Sequence, residues 1–115
     1  MPARSSRSRV LKWPERSVVL AAAQTWAASL YANDANVLRV GCFGSYARGD
    51  AGVGSDLDLV LIVRERPKRN PDASRLPVPA DVLVFDQRDW DALRSGGTRL
   101  ARTLAAEAHW FPREA

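Results

Sequence analysis

The hydrophobic residues of the chain follow a helical period in three stretches. The first precedes any strand-like segment and predicts an amphipathic helix over residues 14–32, with Pro14 in its first turn. Residues 88–95 and 99–111 predict two closing helices, and Thr98 is placed to cap the second of them. The first helix is indicated by the spacing of Val18, Val19, Ala22, Trp26 and Leu30.

Three other segments have the pattern of β-strands. Residues 37–43 alternate, residues 56–63 form a short aliphatic run typical of a strand buried on both faces, and residues 80–86 predict a third strand. A glycine-rich turn at 44–55 and a proline-rich, charged loop at 64–79, expected to project from the domain, separate them. The order predicts an α+β or mixed α/β fold in which helices cover one face of a small sheet.

Length and charge limit the classes of protein that the chain can represent. Its 115 residues fit one domain, and we expect a flexible basic arm over 1–12 followed by a single domain over 13–115. The absence of a long apolar run, of a secretory leader and of any partner for Cys42 predicts a soluble, cytoplasmic protein. The net charge of +4 leaves nucleic-acid binding open, although the arginines concentrate in the arm and in the charged loop.

Candidate chemistry begins where the second strand begins. Asp56 and Asp58 stand at i and i+2, so their side chains project to the same face. Two carboxylates about 4 Å apart repel by roughly 4 kcal/mol at an effective dielectric constant near 20, and a cation removes that conflict. Mg²⁺ suits carboxylate oxygens and is commonly shared with substrate phosphates. Upstream, Gly44 and Ser45 follow a strand directly, where backbone N–H groups and a hydroxyl can hold an anion.

A third carboxylate extends this site. Asp81 opens the third predicted strand, and it reaches the same cations if that strand lies beside the second. In a two-metal site one ion activates the attacking oxygen and the other steadies the leaving phosphate. We therefore expect Asp81 to serve the first ion and to help deprotonate an acceptor hydroxyl.

Other reactive or aromatic residues are interpreted structurally. Cys42 is expected to be a small buried apolar residue, and His109 a surface or interface residue of the last helix. Trp110 and Phe111 are predicted to form an exposed apolar patch that marks an interface. Arg48 either binds a phosphate or pairs with a nearby carboxylate such as Asp50 or Asp56, and the pairing is favoured.

These motifs resemble those of the nucleotidyltransferase superfamily that includes DNA polymerase beta. The resemblance lies in Gly44-Ser45, ten intervening residues, the run Asp56-Leu57-Asp58-Leu59, and Asp81 on a later strand. The chain is more closely similar to the minimal nucleotidyltransferases, whose pattern "GSxARG…SDxDL" it carries. The resemblance covers Leu38 to Asp86.

The resemblance implies a mixed sheet with helices on one side and a polymerase beta-like palm fold. It implies transfer of a nucleoside monophosphate, most simply AMP from ATP, to an acceptor hydroxyl. The cofactor that it implies is Mg²⁺, with two ions in the site. By position, Gly44 and Ser45 match the family's triphosphate-binding turn. Arg48 and Ser55 also match residues of the family's motif, and are expected to bind the nucleotide. Three further residues match the catalytic metal ligands. These three are Asp56, Asp58 and Asp81.

The resemblance also bears on partners, and alternatives stay open. Some minimal nucleotidyltransferases are antitoxins of toxin–antitoxin systems that modify a small helical HEPN ribonuclease, so such a protein or self-association is expected. The alternative is a non-catalytic antitoxin or regulatory module with a vestigial nucleotide site. A third reading, suggested by the basic arm, is nucleotide addition to RNA 3′ ends.

Overall fold

The computed structural model describes residues 13–113, so the predicted basic arm over 1–12 lies outside the described residues. The helices and strands, in chain order, are α1 (Arg16–Asn33), β1 (Val37–Phe43), α2 (Ser45–Arg48), β2 (Leu57–Val63), β3 (Ala80–Asp86), α3 (Gln87–Gly96), α4 (Arg99–Glu107) and β4 (His109–Phe111). The first helix and the three predicted strands are confirmed to within two residues. The one-turn helix α2 within the glycine-rich turn was not predicted.

The strands form one mixed sheet in the order β3-β2-β1-β4. β1 pairs antiparallel with β2 and with β4, whereas β2 pairs in parallel with β3. A parallel pair needs a long connection, and residues 64–79 supply it without a helix. The mixed α+β architecture expected from the sequence is confirmed.

Helices cover both faces of the sheet, so the prediction of helices on one face is wrong. One apolar cluster joins α1 to Leu57, Leu59 and Leu61 of β2. The other joins Trp90 of α3 and Leu104 of α4 to the alternate positions of the same strand. Since every second side chain of a strand points to the opposite face, a central strand that is apolar throughout requires cover on both sides.

The connection over residues 64–79 is anchored to the domain rather than projecting from it. Val78 is 4% exposed and belongs to the cluster under α1. The indole Nε1 of Trp26 donates a hydrogen bond of 2.9 Å to the carbonyl of Asp72. This connection therefore leads the chain across α1 and into β3 along a fixed path.

The end of the chain corrects two predictions. The closing helix stops at Glu107, and residues 109–111 form strand β4 instead of its last turn. Phe111 is 4% exposed, and the indole of Trp110 lies 3.9 Å beneath the guanidinium of Arg39, so these two residues do not form the predicted exposed patch. His109 is exposed, as expected, but on a strand.

Cys42 is buried in β1, as predicted. Burial raises the pKa of its thiol to about 11, with a smaller opposing effect from the charge of Arg16. The thiol is therefore protonated near neutral pH and is not a nucleophile. Within residues 13–113, none of the helices has both the length and the apolar character that crossing a bilayer requires.

Gly41 makes the pairing of β1 with β4 possible. A Cβ at this position would lie 2.7 Å from Cε3 of Trp110 and 2.8 Å from the carbonyl oxygen of His109. The missing side chain therefore gives the indole its place on the sheet.

We predict that Gly41→Ala destabilises the fold by about 1–3 kcal/mol, the usual cost of forcing an extra carbon into a packed site. Gly52→Ala is the matched control, because a Cβ there meets no atom within 4 Å. Urea denaturation of both variants measures the effect, and equal stability of the two variants would contradict it.

Candidate functional site

Parallel pairing of β2 with β3 places two of the predicted carboxylates side by side. Asp58 and Asp81 are register partners, and Asp56 precedes Asp58 by two residues. Asp58 is half-buried, whereas Asp56 and Asp81 are exposed. The three residues therefore lie at the end of the sheet where β2 and β3 both begin.

The carboxylates act on one another electrostatically. The pKa of Asp58 is raised, first because burial penalises its charged form and then because of the negative charges of Asp81 and Asp56. The charge of Arg48 acts in the opposite direction and favours the ionised form of Asp58. The three acidic residues thus share one region of negative potential, which a cation can relieve.

The acidic residues do not form a preorganised metal-binding cluster. Across residues 13–113, no three Asp, Glu, His or Cys side chains are arranged to hold one metal ion together. Strand pairing places Asp58 beside Asp81, but the side chains of the three acidic residues are not arranged to share one ion.

Gly44 lies directly against Asp58. Its φ of +77° belongs to the region that side-chain-bearing residues avoid, and a Cβ built on it would overlap Oδ2 of Asp58. Glycine is therefore required here both by the backbone conformation and by the close approach of the carboxylate. The turn at Gly44 therefore lies against the carboxylate of Asp58.

Ser45 begins the short helix α2. Among the described residues, no hydrogen bond engages the backbone N–H groups of Ser45 and Tyr46. Tyr46 itself is fixed to the start of the domain, because its hydroxyl accepts from Nε1 of Trp13 at 3.2 Å and its carbonyl accepts from Nε of Arg16 at 2.8 Å. The start of α2 is thus held in place, and these two N–H groups have no acceptor within residues 13–113.

Arg48 pairs with carboxylates, which was the favoured interpretation of this residue. Its Nε donates to Asp50 at 3.1 Å, and its Nη1 donates to Oε1 of Glu107 at 3.1 Å. Asp56, the other carboxylate considered, is not among its partners. Arg48 is a cation at the edge of the acidic region.

Glu107 is a residue of the site that sequence reasoning missed. Besides Arg48, its Oε1 accepts from the backbone N–H of Gly44 at 3.3 Å. The residue ends α4 and lies 63 positions from Gly44, so no local motif connects the two. The only signal was a single acidic residue on a helix whose other charged residues are basic.

Ser55 has a role within the turn in this structure. Its Oγ accepts from the N–H of Gly52 at 2.9 Å, and its own N–H donates to the carbonyl of Gly52 at 3.0 Å. These bonds close the loop that leads into β2. A role for Ser55 in binding a nucleotide stays a prediction.

The comparisons with known proteins agree with this geometry. A family model described as a nucleotidyltransferase domain matches residues 28–104. That span includes the glycine-serine turn and all three acidic residues, and it ends before Glu107. No curated protein and no solved structure gives a match to the chain.

We predict that Asp58→Asn raises the melting temperature at pH 7 by about 2–4 °C. Because the pKa of Asp58 is raised in the folded chain, the folded state holds this proton more tightly than the unfolded state. Stability therefore falls as the pH rises from the unfolded pKa, about 4, through the folded pKa, and the ionised side chain is destabilising at neutral pH.

The gain should disappear below about pH 4, where the carboxyl is protonated in both states. Glu65→Gln is the control, since the exposed Glu65 bonds to its neighbours only through its backbone. Thermal melts from pH 3 to pH 8 measure the difference, and a gain that is independent of pH would contradict the electrostatic explanation.

Proposed function

Since the chain belongs to the nucleotidyltransferase domain family, we propose that it transfers a nucleoside monophosphate, most simply AMP from ATP, to an acceptor hydroxyl. The observation that carries this proposal is the pairing of Asp58 with Asp81 beside the turn at Gly44. A carboxylate pair next to free backbone donors suits a ligand that brings both phosphates and a divalent cation.

Mg²⁺ fits the donor set. Asp56, Asp58 and Asp81 offer only carboxylate oxygens, which this ion prefers. The pKa of Asp58 is raised first by burial and then by the negative charges of Asp81 and Asp56, and a bound cation would offset those charges. When bound, the ion neutralises charge on the phosphates and lowers the pKa of an oxygen ligand. The three carboxylates are the proposed ligands, and their side chains would have to rearrange to share an ion.

The turn at the start of α2 holds the phosphates in this proposal. The N–H of Gly44 is engaged by Glu107, so the N–H groups of Ser45 and Tyr46 and the hydroxyl of Ser45 are the donors that remain. Donors fixed before the ligand arrives lose little freedom on binding it. The proposed phosphate contacts therefore come from the N–H groups of Ser45 and Tyr46 rather than from the N–H of Gly44.

Asp81 is the proposed proton acceptor. It is exposed, and it lines an open cleft of about 800 Å³ between residues 70–79 and the beginning of β3. An acceptor in this cleft presents its hydroxyl to Asp81, which takes the proton as the acceptor oxygen bonds to the α-phosphorus. The bond from that phosphorus to the bridging oxygen breaks, and pyrophosphate leaves with the electron pair.

The finer predictions stand beside this proposal. The HEPN-type partner, self-association, nucleotide addition to RNA and the cytoplasmic location stay predictions, because none of the contacts described above bears on them. The same holds for the alternative of a non-catalytic antitoxin module. Transfer of a labelled nucleotide separates that alternative from catalysis.

We predict that Asp56→Asn, Asp58→Asn and Asp81→Asn each lower transfer by about 100-fold or more, because each removes charge that the transition state requires. The assay incubates the full chain with Mg²⁺, each NTP labelled at its α-phosphate, and protein and RNA fractions of a lysate as acceptors. Label retained on a macromolecule and released pyrophosphate are both measured.

Glu65→Gln is the control and should transfer label at the rate of the unaltered chain. Circular dichroism and thermal melts establish that the Asn variants are folded. Full activity of all three Asn variants would refute the assignment of the site. Absence of transfer and of pyrophosphate release by the unaltered chain, with every NTP and acceptor fraction, would refute the proposed reaction.

A further inference from the structure

The carboxylate of Glu107 holds both ends of helix α2. Its Oε1 accepts from the N–H of Gly44, which precedes the helix, at 3.3 Å, and from Nη1 of Arg48, which ends it, at 3.1 Å. The side chain of Glu107 is 23% exposed, so these bonds lie partly out of water. One carboxylate from a distant helix thus clamps the turn that faces the acidic residues.

Glu107 lies at a position where its charge lowers the stability of α4. A negative charge in the last turn of a helix opposes the helix dipole, and α4 has no basic residue in that turn to offset it. The contribution of Glu107 is therefore to be found in its contacts with Gly44 and Arg48 rather than in the stability of α4.

Helix α2 depends on outside contacts for its shape. It spans four residues, and a helix of one turn does not offset the entropy lost in forming it. Trp13 and Arg16 fix its middle through Tyr46. Within residues 13–113, Glu107 is the side chain that hydrogen-bonds the backbone of its first flanking residue, Gly44.

Glu107 and Asp58 meet Gly44 at different atoms. Glu107 takes the N–H, while Oδ2 of Asp58 occupies the place of the missing Cβ. The turn is thus held between two carboxylates, of which Asp58 belongs to the acidic region and Glu107 does not block the N–H groups of Ser45 and Tyr46. Glu107 can therefore stabilise the turn without occupying the donors that are proposed to bind phosphate.

The same carboxylate pairs with the guanidinium of Arg48, which also pairs with Asp50. Arg48 acts on Asp58 and favours its ionised form. Its remaining partner, Asp50, is an exposed residue of the same turn, and exposed pairs contribute little on their own. Glu107 and Asp50 together therefore occupy the guanidinium, which forms no ion pair with Asp56, Asp58 or Asp81 in residues 13–113.

We propose that Glu107 is a positioning residue for nucleotide binding, which sets the distance between the turn at Gly44–Arg48 and the carboxylate of Asp58. This inference rests on the proposed function. It assigns to Glu107 a role in binding the triphosphate of a magnesium–nucleotide complex and no contact with the reacting atoms.

The test compares Glu107→Ala, Glu107→Gln and Thr98→Ala in the full chain. Thr98 caps the other end of the same helix, where its Oγ1 accepts from the N–H of Ala101 at 3.1 Å. Thr98→Ala therefore weakens α4 without touching the turn. Calorimetry with Mg-ATP gives Kd, and thermal melts give the stability of each variant.

We predict that Glu107→Ala weakens Mg-ATP binding by about 10–100-fold, the usual effect of removing a group that orients a binding site. Glu107→Gln should recover most of this loss, because its amide oxygen still accepts from Gly44. Thr98→Ala should lower the melting temperature and leave Kd unchanged. In transfer assays Glu107→Ala should raise KM for ATP more than it lowers kcat.

Hydrogen exchange gives a readout that does not depend on the nucleotide. The amides of Gly44 and Arg48, whose N–H groups donate to Glu107 and to the carbonyl of Gly44, should exchange faster in Glu107→Ala than in Thr98→Ala. Unchanged exchange, or an unchanged or tighter Kd for Glu107→Ala while the unaltered chain binds Mg-ATP, would overturn the inference and leave the proposed function intact. Failure of the unaltered chain to bind any Mg-NTP would instead reject the proposed function, and the inference with it.

Discussion

The burial of β2 on both faces determines where the acidic residues lie. Six of the seven residues of this strand are apolar and at most 1% exposed, the exception being Asp58, and each apolar side chain contributes about 1.5–3 kcal/mol. Carboxylates near a protein surface repel by only a few kcal/mol. The apolar residues therefore fix the strand, and Asp58 has to remain beside Asp81 despite the repulsion. The apolar side chains are Leu57, Leu59, Val60, Leu61, Ile62 and Val63.

The fold was predictable where its signals were local. Strands β1 to β3 follow from short apolar segments bounded by turns, and Thr98 caps α4 as its position suggested. Strand β4 was missed because Leu100, Leu104 and Ala108 continue one helical stripe up to it. What ends the helix is a partner distant in sequence: Gly41 leaves room for the indole of Trp110. The sequence of one strand does not show which other strand it will pair with.

The site divides in the same way. Gly44, Asp56 and Asp58 belong to one continuous motif, and the neighbouring position of Asp81 required only that the third strand lie beside the second. Glu107 could not be predicted from a local motif, because its contacts with Gly44 and Arg48 span about half the chain. Its tertiary placement comes from the return of the chain along β1 after α4. The three acidic side chains are also not arranged to hold one ion together, although the motif had suggested that they would be.

Helix α2 links these elements. It is too short to be stable alone, and it is held from α1 through Tyr46 and from α4 through Glu107. Since α1 covers one face of the sheet and α4 the other, both layers of the domain contribute to the geometry of a single turn. Under the proposed function, a turn held in this way presents donors that are ordered before the nucleotide binds, and such donors bind more tightly than donors that must be ordered on binding. The glycine at 44 is what allows the turn to lie against Asp58, because any side chain there would separate the turn from the carboxylate.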